Sequence, residues 1–225
     1  MHLLIPAAGS GKRMGADRNK LLLEVYSKPL IAWTLLAAEA ASSISWIGIV
    51  SQPGDWEDFK SIIADLKLKK TIEFIVGGST RQESVYNGLQ ALPKTAKQIL
   101  IHDGARCLAT PGLFNACSEA ILNCSGLIAA IPVKDTIKIV NKDGIITSTP
   151  ERQQLWAAQT PQGFDVKLLK KCHAQGVSQG WEVTDDAALL EKCGLEVRIV
   201  LGEETNLKVT TPQDLAIAEF ILSHR

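Results

Sequence analysis

The sequence predicts a doubly wound α/β fold on a mainly parallel sheet, with a projecting β-hairpin arm. Short apolar runs suited to strands covered on both faces recur along the chain, and helical signals fill the gaps between them. One segment breaks this rhythm with alternating polar and apolar residues around a turn signal, which marks a hairpin lying off the main sheet.

The strand-like runs fall at 3–5, 46–50, 72–76, 99–101, 127–131 and 197–201. Pro29 opens a helical stretch through Ala41, and Asp55 is placed to cap a helix through Leu66. Ser79 with Gln82 reads as a capping box ahead of Val85-Tyr86-Asn87-Gly88-Leu89. Thr211-Pro212-Gln213-Asp214 predicts the last helix, with an N-cap, Pro in the first turn and an acid three residues after the cap. In the exceptional segment, Thr136-Ile137-Lys138-Ile139-Val140 alternates polar and apolar residues. Asn141-Lys142-Asp143-Gly144 supplies a turn, and Ile145-Ile146-Thr147 resumes the β pattern. The arm therefore spans about 134–152, and an isolated hairpin of this kind needs a surface to pack on. No internal repeat, low-complexity tract or linker divides the chain, so residues 1–225 are expected to form a single Rossmann-like domain.

At 225 residues and 46% hydrophobic content the chain has enough material for a substantial core. A domain of this size buries roughly 70% or more of its unfolded surface. Its 24 basic and 24 acidic residues cancel, which gives no support to a nucleic-acid or anionic-membrane partner. No apolar run reaches the ~18 residues of a membrane span. The first strand begins within two residues of Met1, which argues against a signal or transit segment and for a cytoplasmic protein; an enzyme trimmed of a plastid leader would give the same pattern. Cys107, Cys117, Cys124, Cys172 and Cys193 form no Cys-x-x-Cys pair, and neither they nor His2, His102, His173 and His224 show zinc spacing. They read as thiols in a reducing compartment. His102 reads as a packing or hydrogen-bonding residue at a strand end.

The most informative stretch is Pro6-Ala7-Ala8-Gly9-Ser10-Gly11-Lys12-Arg13-Met14-Gly15, followed by Lys20, directly behind the run Leu3-Leu4-Ile5. Glycines let backbone N–H groups approach an anion, and Lys and Arg balance its charge, so the loop predicts phosphate binding. It is not a nucleoside-triphosphatase loop, because Gly11-Lys12 is followed by Arg13 instead of Ser or Thr. It is not a dinucleotide fingerprint either, because Met14 occupies the position of the third glycine, which makes a nicotinamide-dependent dehydrogenase remote.

Further blocks extend the pattern: Gly77-Gly78-Ser79-Thr80-Arg81-Gln82-Glu83-Ser84-Val85, His102-Asp103-Gly104-Ala105-Arg106 and Pro132-Val133-Lys134-Asp135-Thr136. Later come Gln159-Thr160-Pro161-Gln162-Gly163-Phe164, Val183-Thr184-Asp185-Asp186-Ala187 and Asn206-Leu207-Lys208-Val209-Thr210. With these blocks the chain resembles the 2-C-methyl-D-erythritol 4-phosphate cytidylyltransferases of the non-mevalonate isoprenoid pathway. The wider group of sugar-nucleotide pyrophosphorylases shares the Gly-x-Gly-x-Arg-Met signature with a downstream Lys.

The resemblance implies transfer of CMP from CTP to methylerythritol phosphate, releasing pyrophosphate, with Mg²⁺ as cofactor. It implies that Arg13, Lys20 and Lys208 stabilise the reacting phosphates, and that Ala7, Ala8, Gly9, Gly11, Gly78, Ser79, Ser84 and Gly104 form the nucleotide site. Arg81 would brace that loop, while a solvent-facing role suits Lys12 as well as a phosphate contact does. Asp103 follows the strand at 99–101, where open α/β sheets place ligands, and is the candidate Mg²⁺ carboxylate; a turn or cap role is its structural alternative. Arg106, Thr136, Arg152, Thr160 and Thr184 match positions that bind the alcohol phosphate. The resemblance further implies that the arm exchanges with a second subunit in a homodimer; taken by itself, the segment reads equally as a surface hairpin.

The chain departs from the family pattern at Asn19, where Pro is common, at Leu21 in place of Gln, and at Gly104 and Cys107. None of these removes a charged group. Two other functions share much of the pattern: a cytidylyltransferase for another polyol phosphate, such as ribitol 5-phosphate, and a non-catalytic nucleotide-binding module. The first usually starts the loop with Ala-Gly-Gly, and the second is expected to lose cations that are all present here.

Overall fold

The computed structural model describes residues 1–9 and 19–225. In chain order its elements are β1 (His2–Pro6), β2 (Glu24–Val25), β3 (Lys28–Pro29), α1 (Leu30–Ala40), β4 (Trp46–Ser51), α2 (Trp56–Leu66), β5 (Thr71–Val76), α3 (Arg81–Ala91) and β6 (Gln98–Ile101). They continue with α4 (Pro111–Ala120), β7 (Gly126–Pro132), β8 (Ile139–Val140), β9 (Ile146–Ser148), β10 (Trp156–Asp165), α5 (Val166–Gln179), α6 (Asp186–Lys192), β11 (Arg198–Leu201) and α7 (Pro212–Leu222).

Seven strands form the main sheet in the order β11-β7-β10-β6-β1-β4-β5. β1 pairs in parallel with β4 and β6, β4 with β5, and β11 with β7. β10 runs antiparallel between β6 and β7. Alternate side chains of each strand serve opposite faces. Leu3, Ile5, Ile47 and Ile49 point to the side covered by Ile31 and Leu35 of α1, Phe59 of α2 and Phe114 of α4. Leu4, Val50, Ile99 and Ile101 meet Leu89 of α3, Leu169 of α5 and Leu190 of α6 on the other. Each aliphatic side chain buried in this way contributes roughly 1.5–3 kcal/mol. Double coverage explains why these strands read as continuous apolar runs.

The expected strands all form. β10 was not anticipated: Pro161 interrupts it, its ladder with β7 shifts register between Ala158 and Gln162, and the Thr160–Pro161 peptide is cis. Two helix starts differ from the sequence reading. The N-cap of α3 is Thr80, whose hydroxyl accepts from the Glu83 N–H, so the cap lies one residue beyond Ser79. Glu83 accepts from both the N–H and the hydroxyl of Ser79, the role assigned above to Gln82. Asp55 precedes α2 without capping it; its carboxylate accepts from Asn19 Nδ2 at 2.8 Å. α7 carries the anticipated capping box, Thr211 with Asp214, and Pro212 in the first turn.

The arm forms as β8 and β9 joined by the turn at Asn141, whose side-chain oxygen accepts from the N–H groups of Asp143 and Ile145. Gly144 has φ +78°, the left-handed region that glycine tolerates. Ile139, Val140, Ile145 and Ile146 are all more than half exposed.

Candidate active site

The connection from β1 leads to β4 and β5 on one side, while β6 lies on β1's other flank. Such a reversal leaves a crevice at the carboxyl ends of the two strands, where open α/β sheets bind ligands. A cleft of about 360 Å³ opens there. Its lining includes Ala7, Ala8 and Gly9 after β1, Gly78, Ser79, Arg81 and Ser84 around the start of α3, Asp103 and Gly104 after β6, and Lys20 and Lys208.

Each wall is held by local bonds. The Ala7 N–H donates to Val50 O at 2.7 Å, extending the β1–β4 ladder into the loop. Asn19 Nδ2 donates to Ala7 O at 2.6 Å, and Asn19 Oδ1 accepts from the Leu21 N–H. That side chain therefore ties the end of β1 to the segment that carries Lys20. On the opposite wall, a Cβ on Gly77 would meet Ala8 Cβ at 2.5 Å, so glycine is what lets the two loops approach. The Gly78 N–H donates to Ser84 Oγ, and that hydroxyl donates to Thr80 O.

Asp103 occupies the floor among cations. Lys208 Nζ stands 2.6 Å from its Oδ2, and Arg81 Nε stands 3.6 Å from its Oδ1. Burial alone would push the carboxyl up; Arg81 and Lys208 outweigh it and bring it down to about 2. Lys20 Nζ donates to the carbonyl of Val209, next to Lys208, at 3.1 Å, so the two lysines converge.

Behind the carboxylate lies a buried polar chain. The Asp103 N–H donates to Thr160 Oγ1 at 3.0 Å, and Thr160 Oγ1 lies 3.0 Å from His102 Nδ1. His102 Nε2 is 3.2 Å from Arg106 O, which only accepts, so Nε2 carries the hydrogen and Nδ1 accepts from the Thr160 hydroxyl. Burial pushes the His102 ring down to about 4 and keeps it neutral near pH 7. Lys208 is fixed from β10: Asn206 Nδ2 donates to Gln159 Oε1 and Thr160 O, and Gln159 Nε2 donates to Glu203 O.

The structure thus gathers Ala7, Ala8, Gly9, Lys20, Gly78, Ser79, Ser84, Asp103, Gly104 and Lys208 around one cleft. Gly11 and Arg13 lie outside the described residues. Thr160 sits beneath the floor, hydrogen-bonded to Asp103. Arg106 donates to Asn206 O at 2.7 Å and Ala158 O at 3.2 Å, which makes it a brace between β10 and the Lys208 segment. Thr136, Arg152 and Thr184 are exposed and away from this lining, and Arg152 Nη1 donates to Lys134 O at the base of the arm. Sequence reasoning gave Asn19 and Asp186 no role. Asn19 had shown itself only as a departure from a family pattern, and Asp186 only as the second acid of Asp185-Asp186.

Among the described residues no group of three or more His, Cys, Asp or Glu side chains could by itself hold a metal ion. A single ionised carboxylate in an open cleft, here Asp103, is nonetheless a donor that could serve Mg²⁺, an ion that takes few protein ligands. No described helix is long and apolar enough to cross a membrane.

Comparison with known proteins identifies the family. The family model described as 2-C-methyl-D-erythritol 4-phosphate cytidylyltransferase matches residues 1–224. A protein of that name from Trichormus variabilis is 79% identical over 225 residues, covering 100% of this chain and 99% of its own. Another from Synechocystis is 68% identical over 225 residues, covering 100% of this chain and 98% of its own. Among solved structures, the 4-diphosphocytidyl-2C-methyl-D-erythritol synthase of Anaerococcus prevotii superposes with TM-score 0.88 at 32% identity, covering 99% of this chain and 97% of its own.

Proposed function

The chain belongs to the 2-C-methyl-D-erythritol 4-phosphate cytidylyltransferase family, and from that premise we propose how its cleft performs the reaction. The enzyme transfers CMP from CTP to methylerythritol phosphate in isoprenoid synthesis. A phosphate oxygen of the alcohol attacks the α-phosphorus in line, the bond to the β-phosphate oxygen breaks, and pyrophosphate leaves. A phosphate monoester loses its second proton near pH ~6, so the nucleophile needs no general base. The barrier lies in joining two polyanions, and positioning with fixed positive charge lowers it.

The observation that carries this reading is the convergence of Lys208 and Lys20 beside Asp103 in the same cleft as the Ala7–Gly9 loop. Lys20 and Lys208 neutralise the triphosphate and the charge that develops at the α-phosphorus; Arg13 belongs to the same set by its place in the loop. Ala7, Ala8, Gly9, Gly11, Gly78, Ser79, Ser84 and Gly104 read the cytidine through backbone groups and short hydroxyls. Asp103 would hold Mg²⁺, which when bound would supply positive charge to offset that of the phosphates. Thr136, Arg152 and Thr184 are assigned to the alcohol phosphate; Arg106 and Thr160, whose polar groups are engaged within the fold, shape that side of the cleft from behind.

The exposed apolar arm supports a homodimer in which Thr136 and Arg152 complete the partner's cleft. Residues 1–225 then act as one catalytic domain, and five free cysteines fit a reducing cytoplasm.

The test is pyrophosphate release with CTP or ATP and with methylerythritol phosphate or ribitol 5-phosphate. Release is expected with CTP and methylerythritol phosphate. Equal turnover of ribitol phosphate would overturn the substrate assignment.

A further inference from the structure

Asp186, the first residue of α6, is 1% exposed and does not line the cleft. Burying a carboxylate costs several kcal/mol even after relaxation, and a buried ion pair often stabilises no better than apolar residues of the same volume. Fold stability alone is therefore a poor reason for an acid at this position. Its contacts lead to the reacting site. Asp186 Oδ2 accepts from Arg81 Nη1 at 2.7 Å, while the other end of that guanidinium, Nε, stands 3.6 Å from Asp103 Oδ1. The first contact is a charge-assisted hydrogen bond; the second exceeds hydrogen-bond range and acts only through charge.

The support for Asp186 is itself fixed. His173 of α5, also 1% exposed, places Nε2 3.3 Å from Asp186 Oδ1. The neighbouring Asp185 caps α6 by accepting from the Ala188 N–H, and it accepts from Gln162 Nε2 of β10 at 2.8 Å. The start of α6 is thereby attached to the strand whose Thr160 hydroxyl holds the Asp103 backbone. Charges alternate along the series Asp186, Arg81, Asp103, Lys208.

We propose that Asp186 is a positioning residue for cytidylyl transfer. By engaging Arg81 through Nη1, it keeps the guanidinium from closing on Asp103 and leaves Lys208 as the cation in contact with that carboxylate. The proposal rests on the reading that Asp103 and Lys208 serve the reaction. Without the Asp186 charge, Arg81 pairs fully with Asp103, Lys208 loses its orienting partner, and the cations meet the transition state from the wrong places. Substrate binding, spread over the rest of the cleft, changes little.

The experiment compares Asp186→Asn, Arg81→Gln, the double variant and Asp103→Asn. It reads kcat and KM for CTP from pyrophosphate release, with CTP affinity by calorimetry and thermal unfolding alongside. Misplacing a reacting group by about 1 Å costs up to ~10²-fold, so Asp186→Asn should lower kcat roughly 10- to 100-fold. KM for CTP should stay within about threefold of wild type, a shift worth less than ~1 kcal/mol. The double variant should be no slower than Arg81→Gln alone, because Asp186 acts through Arg81. Multiplying losses in the double variant, or wild-type kcat in Asp186→Asn while Asp103→Asn is slow, overturns the proposal. Wild-type kcat in Asp103→Asn instead refutes the site reading beneath it. Should Asp186→Asn fail to fold, Arg81→Lys carries the test: it keeps the charge but cannot reach both carboxylates. Its kcat should fall while CTP affinity holds, and unchanged kcat there would equally overturn the proposal.

Discussion

In and directly behind the cleft, Lys208, Asp103, Arg81 and the buried Asp186 face opposite charges at 2.6 to 3.6 Å, and hydrogen bonds from β1, β6 and β10 hold the cleft segments. The arm at 134–152 is built the other way: two short strands, a turn, and Ile139, Val140, Ile145 and Ile146 turned toward solvent. The cleft is organised within one chain. The arm has a fold but lacks a core, since a lone hairpin is marginal in water. The contrast separates Lys20, Asp103 and Lys208, which one chain already brings together, from Thr136 and Arg152, which under the proposed dimer act only once a second chain covers the arm.

The largest effect on this contrast comes from charging the arm. Ile139→Asp or Ile146→Asp, each at a more than half-exposed position, should turn a dimer into a monomer in analytical ultracentrifugation. Loss of charge-assisted bonds to the alcohol phosphate, about 1.5–3 kcal/mol each, should then lower kcat/KM for methylerythritol phosphate roughly 10- to 100-fold. CTP affinity should be kept. A monomer with full activity would show that the arm takes no part in the site.

Changing pH separates the regions more gently. Burial depresses His102 to about 4, while nearby cations hold Asp103 at about 2. In each case the unfolded chain binds protons more readily than the folded one, so stability rises with pH. The His102 contribution is lost as pH falls from about 6.5 toward 4, and that of Asp103 as it falls from about 4 toward 2. Denaturant unfolding at pH 7.5, 5.5 and 3 should show this stepwise decline. Activity between pH 5 and 7 should instead follow the second ionisation of the substrate phosphate near ~6, because Asp103 stays ionised there. An acid limb of kcat/KM unrelated to that ionisation would point to a protein base.

The smallest effect lies away from both regions. Asp165 caps α5 by accepting from the Leu168 N–H at 2.9 Å. Asp165→Ala should cost about 1 kcal/mol of stability, seen as a lower Tm, with kcat/KM unchanged.

Much of this was legible in the sequence. Strands buried on both faces announce themselves as apolar runs, and Thr211-Pro212-Gln213-Asp214 declared its helix because that start is decided locally. β10 stayed hidden: Pro161 and a register shift disrupt its local pattern, and its pairing is fixed by β6 and β7 far away in sequence. The site shows the same division. Lys20, Asp103 and Lys208 stood out in short motifs and meet in the cleft. Asn19 and Asp186 act through partners 12, 36 and 105 residues away, and no local pattern reports contacts of that kind. Arg106, a phosphate ligand by motif, spends two guanidinium donors on backbone carbonyls.

The central claim is that the Lys208–Asp103 pair in the cleft drives cytidylyl transfer. Its most direct test is pyrophosphate release at saturating CTP, Mg²⁺ and methylerythritol phosphate by wild type, Lys208→Ala and Asp103→Asn. Removing one preorganised charge from a reacting site costs about 10²–10³-fold in kcat, and both variants should show losses of that order while remaining folded. Turnover within a few-fold of wild type in folded Lys208→Ala would contradict the account and move the chemistry elsewhere on the molecule.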